Sequence, residues 1–509
     1  MIRMGILALL LTGTTALMAC GDEREPVEPV EPCETSPWYP DTDGDAWGDE
    51  HHPVFSCATP AGHVDRPGDC DDTRAEVAPD ASEECDGLDN DCNGEIDESW
   101  APRPTYRDLD EDGYGDSDVV QWVHCEPPLG YVEEGEDCND GNAAIHPGAE
   151  ESLCDGLDSD CDGSGTAPAA TIGDLEYTTI QGAVDAAATG DTVRICPGTY
   201  TGHVEIPELA VLTLESFTRD QSDTVLDGQY LDSILIIHSA AAVTVSSLTF
   251  RHGRALYNNV PDGNLFSRGG AIRSCAESLA IEDCRFEDNA AWTNGGALYF
   301  KHEPATGCGY DTVEQVSLSI TGSVFEDSLA STYQGGAIGV AVDCAADVVL
   351  DSTEVRGSWA DYEGGGVYIE SEGDLTLTLQ DSLIEANEAG YQGGGIHATS
   401  DADLVADFSN STFSGNISDS QGGAVTLDAD GDITLILDQC TFDANWSGST
   451  GSGLVLDGEA SATVEITGSL WLDNWSDYSG GGLALEVDDH LDADLEDSRF
   501  EGNHSSCYG

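Results

Sequence analysis

The feature that most constrains this chain is a repeat of 29 residues in its C-terminal half. Three kinds of residue return at that spacing: an apolar residue, an asparagine and a glycine. The apolar column is Val355, Ile384, Phe413, Phe442, Trp471 and Phe500; the asparagine column is Asn387, Asn416, Asn445, Asn474 and Asn503; the glycine column is Gly335, Gly364, Gly393, Gly422, Gly451 and Gly480. A fixed period of about 20 to 50 residues is typical of solenoids and propellers.

Each repeat also contains segments that alternate apolar and polar residues, as a half-buried strand does. The apolar positions of the clearest segment are Ala346, Val348, Leu350, Leu375, Leu377, Leu379, Leu404, Ala406, Phe408, Ile433, Leu435, Leu437, Ala462, Val464, Ile466, Leu491, Ala493 and Leu495. Three short strands per repeat, with like residues stacked on like, predict an all-β chain built around a parallel β-helix. We expect the glycines to allow sharp corners and the asparagines to stack amide on amide.

The charge of the chain excludes some partners. Acidic residues number 99 against 16 basic ones, which gives a formal net charge of −83. Binding to nucleic acid depends on Lys and Arg displacing counterions from phosphates, so no nucleic-acid partner is expected. Simple electrostatic adhesion to anionic lipid is excluded for the same reason. The charge fits an extracellular protein that holds cations, or one adapted to a salty medium.

The N-terminus has the pattern of an export signal. Residues 1–19 contain a basic residue and a short apolar stretch, followed by small residues before Cys20. The sequence LMAC resembles the lipobox of bacterial lipoproteins, which implies cleavage before Cys20, acylation of its thiol and a lipid-anchored place on the cell surface, in the outer membrane. The alternative is a secreted protein with a free or paired Cys20. Residues 20–38 are rich in Pro and Glu and predict an extended tether.

A second duplication follows, which we divide into a unit at 39–100 and a unit at 101–166. YPDTDGDAWGD at 39–49 returns as YRDLDEDGYGD at 106–116, and four cysteines follow at equivalent positions in each copy. Carboxylates at alternate positions of a tight loop direct several oxygens to one point, which suits Ca²⁺ and its roughly six to eight oxygen ligands. The candidate ligands are Asp41, Asp43, Asp45, Asp49, Asp108, Asp110, Asp112 and Asp116.

A second acidic loop in each unit is close to a known calcium loop. In DNDCNGEIDE, Asp89, Asp91 and Asn93 take the first, third and fifth places of an EF-hand loop, and Asp97 takes the ninth. Position twelve is Trp100 instead of the bidentate Glu, so the loop is not a standard EF-hand. The equivalent loop of the second unit supplies Asp158, Asp160 and Asp162. The alternative is an acidic surface that holds no ion.

Residues 68–98 and 136–163 resemble the MopE-type metal-binding motif of secreted bacterial proteins, in the segments DCDD to DNDCNGEIDE and DCND to DSDCDG. The resemblance implies a metal site, and the oxygen ligands favour Ca²⁺ over Zn²⁺ held by cysteines, which is the alternative. Without Cys20 the 17 cysteines leave an even number, which together with export favours disulfides. We expect Cys85 to pair with Cys92 and Cys154 with Cys161.

The start of the repeats carries a further resemblance. YTTIQGAVDAAATGDTVRICPGTYTGHVEI at 177–206 resembles the opening of pectin-lyase-like right-handed β-helix proteins. The family implies a short amphipathic helix, here at about 180–188, that covers the open end of the coil. The later coils are similar to the FxxN and GGA repeats of chlamydial polymorphic outer-membrane proteins. Residues 167–509 are therefore expected to form a right-handed parallel β-helix without a C-terminal cap, either truncated or open to end-to-end contact.

Enzyme activity is one possible function of such a rod, because the pectin-lyase-like fold includes polysaccharide lyases and hydrolases. Basic residues gather on the irregular coils at 250–302, where Arg254, Tyr257 and His302 are the candidate catalytic residues. The chain lacks the NTD, paired-Asp, RIK and WIDH sets of that family's pectinases. Their absence favours binding over catalysis.

Two aromatic columns support a binding function. The tyrosine column is Tyr333, Tyr362, Tyr391 and Tyr478, and the tryptophan column is Trp359, Trp446 and Trp475. Aromatic faces stack on sugar rings or anchor a protein partner, although aromatic packing over a turn is the alternative. The sequence therefore predicts a calcium-binding surface lipoprotein whose β-helix serves adhesion, through a glycan or a cell-surface protein.

Overall fold

The computed structural model describes residues 33–98, 100–150, 153–163, 168–208, 211–238, 240–255, 267–302, 308 and 313–506. The chain forms two compact units, Met1–Ala143 and Ala144–Gly509. Each is described by itself. The predicted signal peptide and Cys20, like Tyr257, lie outside the described residues.

From Ala170 onward, the described part of the second unit is a parallel β-helix of about ten turns, in which each regular coil passes through four sheets in a fixed order. Sheet 1 contains Leu175–Tyr177, Ala170–Ile172, Thr192–Ile195, Val211–Ser216, Ala242–Ser246, Ser278–Glu282, Gln315–Thr321, Ala345–Asp351, Leu375–Gln380, Leu404–Ser409, Ile433–Asp438, Ala462–Thr467 and Leu491–Glu496. Sheet 2 contains Gly198–Thr201, Thr224–Asp227, Thr249–Arg251, Arg285–Glu287, Val324–Glu326, Glu354–Arg356, Leu383–Glu385, Thr412–Ser414, Thr441–Asp443, Leu470–Leu472 and Arg499–Glu501.

Sheets 3 and 4 complete each coil. Sheet 3 contains Arg254–Ala255, Ala290–Ala291, Leu329–Ala330, Trp359–Ala360, Glu388–Ala389, Ile417–Ser418, Trp446–Ser447, Trp475–Ser476 and His504–Ser505. Sheet 4 contains Val204–Ile206, Leu235–Ile237, Ile272–Ser274, Leu298–His302, Ile338–Val342, Val367–Ser371, Ile396–Ser400, Val425–Ala429, Leu454–Gly458 and Leu483–Val487. The sequence predicted three strands per repeat. The two-residue strands of sheet 3 escaped detection because their inward residues are Ala or Ser, which leave no strong apolar column.

The predicted apolar columns form the interior of the β-helix. In consecutive strands of sheet 1, Leu377 lies opposite Ala406, which lies opposite Leu435, which in turn lies opposite Val464. Each of the four is at most 1% exposed. Neighbouring rings of the apolar column also stack, with centroid distances of 4.7 Å for Phe413–Phe442, 5.1 Å for Phe442–Trp471 and 4.4 Å for Trp471–Phe500. The prediction of a parallel β-helix is therefore confirmed. The positions in Leu491–Glu496 are exposed, because this strand pairs on one side only among the described residues.

The glycine motif is required by the backbone. Gly393 has a φ of +61°, and a Cβ there would lie 2.3 Å from the carbonyl oxygen of Ile396. A Cβ on the adjacent Gly394 would lie 2.3 Å from the carbonyl oxygen of Gly423 in the next coil. Both distances are shorter than any real Cβ contact, so only glycine allows this corner to fold over the neighbouring strand.

The asparagine column forms a continuous hydrogen-bonded ladder, as predicted. Asn416 is fully buried and its Nδ2 donates to the Oδ1 of Asn445 at 3.0 Å and to the carbonyl oxygen of Ile384 at 2.8 Å. Its own Oδ1 accepts from the backbone N and the Nδ2 of Asn387, both at 3.1 Å. Each asparagine side chain therefore satisfies backbone groups of the preceding coil and bonds to the asparagine side chains of the coils on either side.

A short helix, Ile180–Ala186, packs against the first coil. Thr179 caps it, since its Oγ1 accepts a hydrogen bond from the backbone N of Gly182 at 3.0 Å. Ile180, Ala183 and Val184 are buried against Ala170–Ile172 and Val204–Ile206. The helix predicted at about 180–188 is present and two residues shorter.

The first unit shows the duplication directly, because equivalent strands of its two copies pair in the same way. In the first copy Ser36–Pro40 is antiparallel to Val54–Ser56 and His63–Val64, and Gly48–Asp49 is parallel to Pro67–Asp69. In the second copy Arg103–Arg107 is antiparallel to Tyr114–Val123 and Tyr131–Val132, and Tyr114–Val123 is parallel to Glu134–Asp137.

Candidate metal centres

The first predicted loop, after Ser36–Pro40, is held by its own carboxylates. Asp41 Oδ1 accepts from the backbone N of Gly44 at 2.7 Å, and Asp45 Oδ1 accepts from the backbone N of Trp47 at 2.8 Å. One oxygen of each carboxylate therefore supports the turn. Ligand oxygens of Asp41, Asp43 and Asp45 lie within 4.8 Å of one another, as the sequence predicted.

Two further carboxylates that the sequence analysis missed join this loop. The pairing of Gly48–Asp49 with Pro67–Asp69 brings Asp69 and Asp72 to Asp43, with ligand oxygens again within 4.8 Å. A signal existed in the sequence, since the Asp–Cys pair at Asp69 recurs at Asp137 in the second copy. We call the set Asp41, Asp43, Asp45, Asp69 and Asp72 centre 1.

Centre 1 contains buried oxygens without partners. Asp69 is only 3% exposed, and its Oδ2 is buried with no hydrogen bond, as are the Oδ2 atoms of Asp43 and Asp45. Burial, and after it the charges of Asp45, Asp43 and Asp72, raise the pKa of Asp69 to about 6. A buried carboxylate oxygen that accepts nothing is strongly unfavourable, and a bound cation removes both the desolvation and the repulsion.

Centre 2 is the corresponding set in the second copy, Asp108, Asp110, Asp112 and Asp137, without Asp140, which has the position of Asp72 but forms an ion pair with Arg107. Ligand oxygens of the first three lie within 4.8 Å of one another, and both oxygens of Asp110 are buried without partners. The Oδ2 atoms of Asp112 and Asp137 are also unpaired. Burial first, and then neighbouring carboxylates, raise the pKa values of Asp110 and Asp137. The same unsatisfied geometry thus occurs twice in one chain.

Asp49 and Asp116, the last predicted ligands of each loop, have other partners. Asp49 accepts from the backbone N of His51 at 2.8 Å and contacts the His52 ring, which lowers the pKa of Asp49. Asp116 accepts from the backbone N of Asp118 at 2.8 Å and lies 3.7 Å from the Arg107 guanidinium. These two carboxylates serve turns and ion pairs in the described structure.

The loop that resembles an EF-hand forms centre 3. Asp89 and Asp91 lie with Glu83, another residue missed from the sequence, so that their ligand oxygens are within 4.8 Å of one another. Glu83 is 5% exposed and its two oxygens accept from the backbone N atoms of Asp91 and Asp97, at 2.9 and 3.0 Å. Asp97 Oδ1 accepts at 3.3 Å from backbone N atoms of the preceding turn, so it closes the loop.

Asn93 belongs to the same loop, where its Nδ2 donates to Glu98 and its Oδ1 accepts from the backbone N of Glu95 at 2.9 Å. In the matching acidic loop of the second copy, Asp158 Oδ2 accepts from the backbone N of Gly163 at 3.0 Å. Asp160 Oδ1 accepts from the backbone N of Asp162 at 3.1 Å.

The predicted disulfide pairings are wrong, although all four cysteines are in disulfides. Cys92 pairs with Cys70, and Cys85 pairs with Cys125 of the next copy. The acidic loop folds back on the end of Pro67–Asp69, so the Cys92 sulfur lies 3.1 Å from the backbone N of Cys70. Cys154 pairs with Cys196 in the first coil instead of with Cys161, which is also disulfide-bonded.

Because the cysteines near centres 1 to 3 are in disulfides, their sulfur atoms are not available there as metal ligands. Further bridges join Cys33 to Cys57 and, in the β-helix, Cys275 to Cys308. Cysteine in a disulfide does not offer the thiolate that Zn²⁺ sites use. The alternative of cysteine-held Zn²⁺ in these units is therefore removed, and the available donors are carboxylate and amide oxygens, which suit a hard cation.

On the β-helix, the four tyrosines of the tyrosine column lie at the surface, and two of them stack on each other. Tyr362 and Tyr391 are 44% and 39% exposed, and their rings are 5.0 Å apart and tilted by 7°. Tyr333 and Tyr478 are more exposed, at 53% and 56%. In the tryptophan column, Trp446 lies opposite Trp475 in the next coil, whereas Trp359 lies opposite Glu388.

The candidate catalytic residues occupy different sheets. Arg254 begins a strand of sheet 3 and is exposed, whereas His302 ends a strand of sheet 4 and is 1% exposed. His302 lines a cavity of about 400 Å³ with Arg268, Lys301 and Asp343, and Arg254 is not among the residues around it.

Comparison with known families gives one match. The family described as "Putative metal-binding motif", Cu-binding MopE, matches residues 69–98 and 137–165. These segments contain Asp69 and Asp137 and both loops that resemble an EF-hand. No curated protein and no solved structure matches the chain. Within the described residues, no helix is long and apolar enough to cross a lipid bilayer.

Proposed function

We propose that the duplicated acidic modules bind Ca²⁺ and that the protein is a lipid-anchored surface protein whose β-helix contacts a glycan or a cell-surface protein. The observation that carries the metal proposal is the group of buried, unpaired carboxylate oxygens in centres 1 and 2. Six to eight oxygens at flexible positions are the usual surroundings of Ca²⁺, at about 2.3 to 2.6 Å from the ion. Mg²⁺ requires a stricter octahedron and retains several waters, so it fits these centres less well.

Ca²⁺ has a mechanical role in this proposal. In centre 1 the ion joins the loop at 41–45 to the segment at 69–72, which are otherwise linked by short strands and by the Thr42–Asp72 hydrogen bonds. Centre 2 joins equivalent segments of the second copy. Each ion replaces carboxylate repulsion by shared coordination, so the modules become stiffer when Ca²⁺ is bound.

The lipid anchor completes the proposal. Acylation of Cys20 is supported by the lipobox-like LMAC sequence and places the chain at the cell surface. The acidic modules then lie between the anchor and the β-helix in the sequence. The binding role of the β-helix is supported by the exposed, parallel rings of Tyr362 and Tyr391, since flat aromatic faces favour contact with sugar rings.

The metal proposal is tested by titration calorimetry of Ca²⁺ into the full chain. Asp69→Asn and Asp137→Asn keep the shape of the side chain but remove one charge from centres 1 and 2, and each is expected to weaken Ca²⁺ binding at least about 10-fold. Asp65→Asn, at an exposed aspartate four residues before Asp69 in the sequence, is the matched control. At a free Ca²⁺ concentration 100 times the dissociation constant, bound Ca²⁺ is expected to stabilise the folded module by about 2.7 kcal/mol. Absence of both heat and thermal shift at millimolar Ca²⁺ contradicts the proposal.

The binding proposal is tested on a glycan array, with the full chain in excess Ca²⁺. The double variant Tyr362→Ala/Tyr391→Ala is expected to lose the signal, because each exposed ring contributes contact area with little loss of conformational entropy. Trp122→Ala removes an exposed aromatic side chain of the first unit and is expected to leave the signal unchanged. Equal signals from the double variant and the wild-type chain contradict a role for the tyrosine column.

A further inference from the structure

A group of mixed donor atoms lies on the irregular coils of the β-helix, away from centres 1 to 3 in the sequence. The strand Leu298–His302 pairs in parallel with Ile338–Val342, so that His302 lies opposite Val342. The next two residues of that coil are Asp343 and Cys344. The backbone N of Asp343 donates to the carbonyl oxygen of His302 at 3.0 Å, which fixes the start of this turn beside the imidazole.

The side chains of these residues converge on one ring nitrogen. His302 Nδ1 is 3.0 Å from Asp343 Oδ1 and 3.5 Å from Cys344 Sγ, and the three donor atoms lie within 4.8 Å of one another. A single nitrogen offers either one N–H or one lone pair, so it satisfies only one of these neighbours at a time. Around a tetrahedral Zn²⁺, bonds of about 2.0 to 2.3 Å place ligand atoms roughly 3.3 to 3.7 Å apart. The observed distances are close to that arrangement.

Cys344 differs from the other cysteines of the described chain. Twelve cysteines are in disulfides, and the two further free thiols, Cys284 and Cys440, are completely buried in the β-helix core. The sulfurs of Cys284 and Cys440 lie against backbone carbonyl oxygens. Cys344 is partly exposed and lies beside an imidazole and a carboxylate. Of these three thiols it is the one placed to bind a metal ion.

His302 is the most buried member of this group. It is only 1% exposed, and its Nε2 has no hydrogen-bond partner among the described residues. The residue also lines the cavity of about 400 Å³ that contains Arg268, Lys301 and Asp343. A metal ion on Nδ1 fixes the ring as the tautomer with its proton on Nε2, and the buried position holds the imidazole in place for that ion.

We propose that His302, Asp343 and Cys344 bind a borderline-soft divalent metal ion, for which Zn²⁺ is the first candidate. The fourth coordination position of the ion is open to the adjacent cavity. The nitrogen, oxygen and sulfur donor set separates this site from the oxygen-only centres of the first unit. Three protein ligands and one open position are typical of zinc ions that contact a ligand or a water molecule. The cavity is lined by Lys301 and Arg268 and also by Asp343, Glu370 and Glu372, so a ligand that reaches the ion through it meets both positive and negative side chains.

The test uses Co²⁺ as a spectroscopic substitute for Zn²⁺, added to the full chain in the presence of millimolar Ca²⁺. A thiolate bound to Co²⁺ gives an intense near-ultraviolet charge-transfer band, which oxygen ligands do not give. We expect one equivalent of Co²⁺ to produce the band and one equivalent of Zn²⁺ to abolish it. Because the band reports sulfur ligation, its presence is independent of whether centres 1 to 3 bind Ca²⁺.

Cys344→Ser is expected to lose the band, and Asp343→Asn is expected to weaken Co²⁺ binding at least about 10-fold. Cys440→Ser is the matched control, because the next coil already has a serine at the equivalent position, Ser469, whose Oγ accepts from the backbone N of Cys440. Absence of the band in the wild-type chain, or a band that persists in Cys344→Ser, overturns the proposal. If Cys344→Ser does not fold, Asp343→Asn decides: unchanged Co²⁺ affinity in that variant overturns the proposal too.

Discussion

The asparagine ladder makes a quantitative prediction about the stability of the β-helix. Replacing Asn445 by Ala removes four hydrogen bonds of its side chain. Its Nδ2 donates to Phe413 O at 3.0 Å and to Asn474 Oδ1 at 2.9 Å, while its Oδ1 accepts from the backbone N and Nδ2 of Asn416 at 2.9 and 3.0 Å. At about 1 kcal/mol each, their loss is expected to lower the free energy of unfolding by about 4 kcal/mol.

Urea unfolding of the wild-type chain and of Asn445→Ala, followed by circular dichroism, measures this change. Asp443→Ala, in the same coil but on the partly exposed side of sheet 2, is the control and is expected to change stability by less than about 0.5 kcal/mol. Hydrogen exchange should show faster exchange at the backbone N of Asn416, which loses its acceptor. A difference below about 1 kcal/mol between the wild-type chain and Asn445→Ala refutes the view that the ladder stabilises the coils.

Three further predictions concern the core, its pH dependence and the disulfides. Burial lowers the pKa of His397 to about 4 from an unfolded value near 6.5, so the unfolded state binds the proton first and stability falls as the pH drops between these values. The free energy of unfolding is expected to be about 3 kcal/mol lower at pH 4 for this reason. Urea unfolding at pH 7 and pH 4 measures the difference, and His397→Phe should remove this part of it. Trp471→Ala leaves a cavity at a fully buried position between two stacked rings, and thermal unfolding should show a loss of about 3 to 5 kcal/mol. Peptide mapping without reduction should recover Cys85 linked to Cys125, and recovery of Cys85 linked to Cys92 contradicts the structure.

The sequence was sufficient to predict the β-helix because its coils are nearly identical in length. A period of 29 residues turns a three-dimensional stack into columns that can be read along the chain, and both the buried strands and the ladder through Asn416 follow from it. The strands of sheet 3 were not predicted. Their inward residues, such as Ala389 and Ser418, are small, so burial leaves little trace in hydropathy.

The metal centres were only partly predictable. Asp43 and Asp45 are close in sequence, and a tight turn is enough to bring them together. Asp69 and Glu83 approach their centres through strand pairing and loop folding, which depend on interactions between distant parts of the chain. The same reason explains the wrong disulfide pairings, since Cys85 reaches a cysteine 40 residues away instead of its near neighbour.

The ladder and the four sheets also determine how the β-helix responds to force. Backbone and asparagine hydrogen bonds between consecutive coils run along the coil axis, so a pull along that axis loads all bonds of one junction together. The junctions themselves follow one another in series, and the weakest one breaks first. The coils at 192–237 lack strands of sheet 3 among the described residues, so their junctions share tension among fewer bonds. Rupture under an axial pull is therefore expected to begin there and to leave the regular coils intact.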